Sequence, residues 1–241
     1  MRGWIRRPVN HFGSLGACGA ASTNNIGMVD ALRLSTLPDQ PHRVRCWTLA
    51  MLRNTQDSYG LVAIALHWLV ALTVVGLFGL GLWMTGLDYY SPWYRSAPDI
   101  HKSVGVLLCL VLVLRLGWRW ANPRPAPEPG LSTFERSASR VAHGLLYALP
   151  FAVMGAGYLI STADGRPLEV FGLFSVPATL SGLPEQADRA GDIHLALAIA
   201  LVSLAGVHAL GALKHHFLDR DRTLLRMLGR DGRHSTPPHH P

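Results

Sequence analysis

Apolar positions in this chain come in long unbroken stretches, and no charged side chain occurs across residues 58–87, 141–163 or 193–213. A fourth stretch, 103–114, is interrupted by Arg115 and stays apolar to Trp120; counted from His101 it reaches the same length. A helix needs roughly 20 apolar residues to cross a bilayer, and a core helix of a soluble protein seldom runs so far without charge. The pattern predicts spans over 58–87, about 99–120, from about 131 onward, and from about 188 to beyond 217. The third carries Pro150 in its interior, where a missing N–H bends a helix. Between the second and third, Asn122-Pro123-Arg124-Pro125-Ala126-Pro127-Glu128-Pro129-Gly130 is a hard stop, because alternate residues have no donor. Tyr89, Tyr90, Trp93 and Tyr94 form an aromatic cluster suited to the membrane interface, and Phe171-Gly172-Leu173-Phe174 reads as a short interfacial element. The expected fold is all-α, an integral membrane four-helix bundle over residues 53–231.

Residues 1–52 lack sustained periodicity and include Pro8, Pro38 and Pro41. They read as a disordered leader, as do residues 232–241 as a disordered tail. Leu15-Gly16-Ala17-Cys18 mimics a lipoprotein cleavage site, but no apolar region precedes it. Met51 makes an alternative start, a hypothesis that N-terminal sequencing of the native protein decides.

Composition agrees with a membrane protein: 49% of residues are apolar and 15% charged, against about 25% charged in soluble domains. The net charge of +7 is a topology signal rather than a nucleic-acid footprint. Residues 115–140 hold five arginines against two acids, and 214–233 hold six basic residues against three acids. Residues 164–192 hold two arginines against five acids. Alternate loops are therefore basic, and the positive-inside rule puts both termini and the middle linker in the cytoplasm. Of the three cysteines, Cys18, Cys46 and Cys109, none sits in Cys-x-x-Cys-His, which excludes covalent c-type haem attachment.

Histidine is the residue that changes the picture. Five of the twelve histidines lie in or at the edges of the spans: His67, His101, His143, His194 and His208. Ionisable groups at membrane depth are costly and mark functional sites. His194 and His208 are 14 residues apart, a net rotation of about −40° with about 21 Å of rise, so one helix face presents an imidazole to each leaflet. His101 opens the second span at the depth of His194, and His67 lies in the first near the depth of His208. Two imidazole pairs, His67/His208 and His101/His194, are the arrangement for two bis-histidine b-type haems stacked across a bilayer. With both axial positions taken by the protein, such irons shuttle electrons rather than activate a bound ligand. Gly76, Gly79, Gly81, Gly105, Gly206 and Gly211 offer close approach to a helix or a flat macrocycle, a role ordinary packing also explains. Arg115 suits either a haem propionate or an inner-surface anchor by snorkelling.

A transporter or channel with proton- or metal-binding histidines is the rival class. It predicts acidic residues inside the spans, and the three long runs contain none. Metal-binding histidines are also often spaced i, i+4.

Several motifs in order resemble the bacterial cytochrome b561 family of dihaem membrane cytochromes, relatives of the b subunits of nickel–iron hydrogenases. They are Tyr59-Gly60 with Ala65-Leu66-His67-Trp68, Gly81-Leu82-Trp83-Met84, His101-Lys102-Ser103-Val104-Gly105, Arg115-Leu116-Gly117-Trp118-Arg119, and His143 with Tyr147. Val207-His208-Ala209-Leu210-Gly211-Ala212-Leu213-Lys214-His215-His216-Phe217 closes the series. The resemblance implies a bacterial inner-membrane electron carrier that exchanges with ubiquinone, with the axial-ligand role on His67, His101, His194 and His208. It implies two possible jobs, a self-contained superoxide or quinol oxidoreductase and a membrane anchor feeding a separate redox partner protein. Lys102 is either an attractor for superoxide or a plain surface lysine, and His143 is a candidate for contact with a ligand or a propionate. His215 and His216 are expected at the inner surface, and His239-His240 in the tail. One departure is Met154, where the family often has proline, with Pro150 one turn earlier.

Overall fold

The structure, a computed structural model, describes residues 51–230 except 129 and 131. All but two residues of the expected leader, and the whole of the expected tail, lie outside the described residues. Four long helices carry the fold: α1 (Leu61–Met84), α2 (Ser96–Ala121), α3 (Thr133–Ser161) and α4 (Gln186–Phe217). A short hairpin of β1 (Leu168–Val170) and β2 (Phe174–Val176) interrupts the α3–α4 loop, and α5 (Thr223–Met227) follows α4. All four long helices are long and apolar enough to cross a membrane. Antiparallel succession gives the bundle two ends. The proximal end holds the starts of α1 and α3 and the ends of α2 and α4; the distal end holds the α1–α2 and α3–α4 loops.

Local chemistry sets the helix limits. The first helix begins at Leu61, later than the apolar run suggests, because the preceding chain folds back. Asn54 Oδ1 accepts from Gly60 N–H at 2.9 Å, and a Cβ on Gly60 would lie 2.3 Å from the Leu52 carbonyl oxygen, so only glycine fits there. The start of α3 at Thr133 comes from a capping box: Ser132 Oγ accepts from Glu135 N–H, and the Glu135 carboxylate accepts from Ser132 N–H. Reciprocal bonds of this kind satisfy two otherwise orphaned donors. In α2 the helix starts at Ser96, a turn early, and Pro98 falls in the first turn, where a missing N–H costs nothing.

A small core lies between three helices. Leu112, fully buried, packs with Val70 and Leu108, and Val74, Leu77, Val111, Phe151 and Met154 close around them. Met154, the departure noted above, is one of the partly buried residues packed against this core. Outward faces are apolar too: Leu72, Leu114 and Leu210 are 67%, 65% and 66% exposed. In water such surface would drive association; on helices of this length it is the surface that meets lipid.

Both ends are closed by short elements. At the distal end Leu168 and Val170 of β1 are buried, and Ser103 Oγ on α2 accepts from Phe171 N–H at 3.1 Å. The stretch expected as a short interfacial element, 171–174, is therefore a hairpin turn with Phe171 and Gly172 in the left-handed region, its Leu173 side chain 81% exposed. At the proximal end α5 is tied back onto the linker and α1. Arg226 pairs with Glu128 at 2.7 Å and donates to the Ala126 carbonyl at 2.8 Å, while Trp68 Nε1 donates to the Met227 carbonyl at 2.9 Å.

Candidate functional site: two imidazole pairs

The five span histidines gather into two groups, one toward each end of the bundle. At the distal end the His101 and His194 rings have centroids 6.1 Å apart and planes at 66°. At the proximal end His67 and His208 are 6.5 Å apart at 67°. His143 on α3 joins the proximal group, its centroid 5.2 Å from that of His208. All five rings are partly buried.

These distances can be tested against haem iron. A metal–imidazole bond is about 2 Å and the nitrogen-to-centroid distance about 1.1 Å, so two rings sharing one metal have centroids about 6.2 Å apart. Both predicted pairs match that value. The His143–His208 pair, at 5.2 Å, is about 1 Å shorter than that. The ring separations at both ends fit a bis-histidine iron.

Hydrogen bonds distinguish the two ends. His194 Nδ1 lies 2.9 Å from the carbonyl oxygen of Val153. A carbonyl only accepts, so Nδ1 carries the proton and Nε2 keeps the lone pair a metal requires. His101 Nδ1 is buried without a hydrogen-bond partner among the described residues. At the proximal end Arg115 Nη2 donates to His67 Nδ1 at 2.9 Å, which leaves Nδ1 as the acceptor. The Arg115 guanidinium also stacks 5.2 Å over the Tyr147 ring, and Arg119 lies at the same distance from that ring. Cations over a phenol face are held by its quadrupole. Arg115 is thus engaged inside the bundle beside a candidate ligand rather than extended to the surface. His143 Nδ1 reaches Ser139 Oγ at 3.3 Å.

The chain belongs to the prokaryotic cytochrome b561 family. It matches that family over residues 58–230. It is 52% identical to cytochrome b561 homolog 2 of Escherichia coli K12 over 177 residues, which cover 73% of this chain and 94% of the relative. It is 31% identical over 172 residues to a probable superoxide oxidase, CybB, of Yersinia pestis, covering 70% and 95%. Similarity extends to cytochrome b562 of Cereibacter sphaeroides, at 29% over 178 residues, 72% of this chain and 96% of the relative. Membership makes this four-helix protein a membrane electron carrier of a haem b-binding family, and it fits the bacterial inner membrane.

Residues that sequence reading passed over also reach the site. Gly157 on α3 lies against His194, with a Cβ there 3.1 Å from the ring. Gly81, which the sequence offered as a point of close approach, lies against His101 at 3.3 Å. At Gly76, Gly79, Gly105, Gly206 and Gly211 no neighbouring helix among the described residues comes within 4 Å of where a Cβ would stand. Lys102 pairs with Asp99 at 2.9 Å. Near the proximal end Lys214 bridges Glu135 and Asp219, and His215 adjoins Asp219 at 2.8 Å. Glu135, His215 and Asp219 are close enough together to hold a metal ion, but the ammonium of Lys214 already pairs with both carboxylates.

Proposed function

We propose that the chain holds two haems b, one between His101 and His194 and one between His67 and His208, and passes electrons between the two faces of the membrane in exchange with the quinone pool. The single observation that carries this reading is the pair of imidazole couples, 6.1 and 6.5 Å between centroids, at opposite ends of one four-helix bundle. Haem b iron supplies reversible one-electron transfer, and two imidazole ligands leave it no open position.

The side chains do the rest. His194 is ready to ligate, its proton held on Nδ1 by Val153. His67 ligates through Nε2 as a neutral imidazole only when its proton sits on Nδ1, and Arg115, which has donors alone, then needs another acceptor. A haem carboxylate is such an acceptor, which favours the propionate role for Arg115 over simple anchoring. His143 remains beside the proximal ligand without being one. The positive-inside pattern supports a cytoplasmic proximal end and a periplasmic distal end, with both termini inside. Ubiquinone reduced at the proximal end would then draw its protons from the cytoplasm.

A second reading takes superoxide as the electron donor at the distal end, favoured by the name of the 31% identical Yersinia relative. Lys102 beside His101 is the local cation for such an anion, but Asp99 largely neutralises it. An anchor that hands electrons to a separate protein is the third job. Turnover of the purified protein with ubiquinone and a superoxide source, and no partner, argues against the anchor.

The deciding experiment is a reduced-minus-oxidised visible spectrum with a pyridine haemochrome count on detergent-purified protein. Two b-type haems per chain are expected, with His194→Ala and His208→Ala each removing one. A colourless protein from haem-replete cells refutes the reading.

A further inference from the structure

The side chain of His194 is held by α3 at two points. Its Nδ1 is 2.9 Å from the Val153 carbonyl oxygen. One turn further along α3, a Cβ on Gly157 would stand 3.1 Å from its Cε1 and 3.2 Å from its Nδ1. Both contacts involve the same edge of the imidazole, so the ring meets α3 edge-on, at a position where any side chain beyond glycine would press on it. Gly155, two residues away on the same helix, faces open space. No glycine among the described residues backs His67, His143 or His208 in this way. The distal pair thus has a glycine-backed, carbonyl-bonded ring, and the proximal pair has none.

We propose that Gly157 and the Val153 carbonyl are positioning elements for the distal metal centre, which fix the rotation and tautomer of His194 and aim its Nε2 at His101. This rests on the two-haem reading above. Gly157 admits the ring, Val153 takes the Nδ1 proton, and the lone pair is left on Nε2. A hydrogen bond from Nδ1–H to a carbonyl also makes the imidazole a stronger electron donor, which favours oxidised iron and lowers the potential of that haem. His101 has no such bond among the described residues, so of the two distal rings only His194 is tuned in this manner there.

The test is potentiometric titration with low-temperature electron paramagnetic resonance on purified Gly157→Ala, with Gly155→Ala as control. By helix propensity alone, alanine in mid-helix favours the fold, so damage from Gly157→Ala runs against the intrinsic trend. The expected result is that one haem shifts to higher potential with an altered low-spin signal, or is lost, while the other keeps its wild-type values and reports an intact bundle. Gly155→Ala should leave both haems unchanged. Wild-type behaviour of both haems in Gly157→Ala, or an equal disturbance of both, overturns the proposal.

Should Gly157→Ala fail to accumulate, His194→Gly supplied with free ligands replaces it. Imidazole should restore the distal haem at its normal potential, because its second nitrogen can donate to Val153. 1-Methylimidazole, which ligates iron but has no N–H, should fail to restore it or leave the potential raised; equal restoration by the two refutes the idea. A wild-type protein with fewer than two haems sinks the two-haem reading, and this proposal with it. Two haems with an unshifted Gly157→Ala sink the proposal alone.

Discussion

Replacing Arg226 by methionine should loosen the proximal end, and the size of the effect can be worked from the contacts. Arg226 makes an ion pair with Glu128 at 2.7 Å, with only 11% and 14% of the two side chains exposed, and a second bond to the Ala126 carbonyl. Breaking a fully buried pair by removing one partner costs about 3–5 kcal/mol, because it strands the other charge. Residual exposure here lets water reach Glu128, so about 2–4 kcal/mol is the better figure. For a domain of this size about 2–4 °C of melting temperature goes with each kcal/mol, so thermal unfolding in detergent should fall by about 5–15 °C. Glu128→Gln in the Arg226→Met background should recover part of that loss, since no charge is then stranded. The double-mutant cycle should give a coupling of about 1–2 kcal/mol. Trp68, next to His67, bonds the carbonyl of Met227, so on the two-haem reading, heating Arg226→Met should lose the proximal haem before the distal one. An unchanged melting temperature, or a double variant that loses the simple sum of the two singles, refutes the reasoning.

Two further outcomes check the site and its electrostatics. His143→Ala should retain both haems by pyridine haemochrome count, because its 5.2 Å separation from His208 is too short for a shared iron; loss of one haem would make His143 a ligand and displace His67. The Lys214 ammonium, with His215 a smaller contributor, holds the Asp219 carboxyl below its ordinary 3.8. A depressed carboxyl contributes stability that is complete above the unfolded value and disappears as pH falls through the folded one. Asp219→Asn should therefore melt lower than the wild type at neutral pH, with the gap closing as the pH is taken below about 3.8; a gap that stays constant across that range contradicts the assignment.

The four spans were legible because lipid imposes a one-dimensional code: length and absence of charge suffice, and no knowledge of packing is needed. The histidine pairs were legible for a related reason. Fourteen residues on one helix fix both direction and rise, and antiparallel topology then assigns each imidazole its partner across the bundle. Chain ends of helices were less accessible. The Ser132–Glu135 box that starts α3 is a sequence signature in its own right, but the start of α1 depends on Asn54 reaching Gly60, a contact made by a fold-back outside the helix.

What sequence spacing could not supply is the environment of each ring, because that depends on which atoms of a neighbouring helix happen to face it. Gly155-Ala156-Gly157 looks like any small-residue run, and only the azimuth of α3 against α4 decides that Gly157 meets His194 while Gly155 meets nothing. Arg115 posed the same problem: snorkelling and inward engagement were equal in sequence, and the packing of α2 beside Tyr147 and His67 turns it inward. The hairpin over α2 was hidden because three-residue strands carry too little alternation to register, and its burial comes from Ser103 and the first turns of α2 rather than from its own pattern. On the two-haem reading, the ligands are a property of single helices, read from period and depth, whereas the groups that orient those ligands are a property of helix pairs. Substitutions at the ligands should remove a haem; substitutions at the orienting groups should leave it bound and shift its potential.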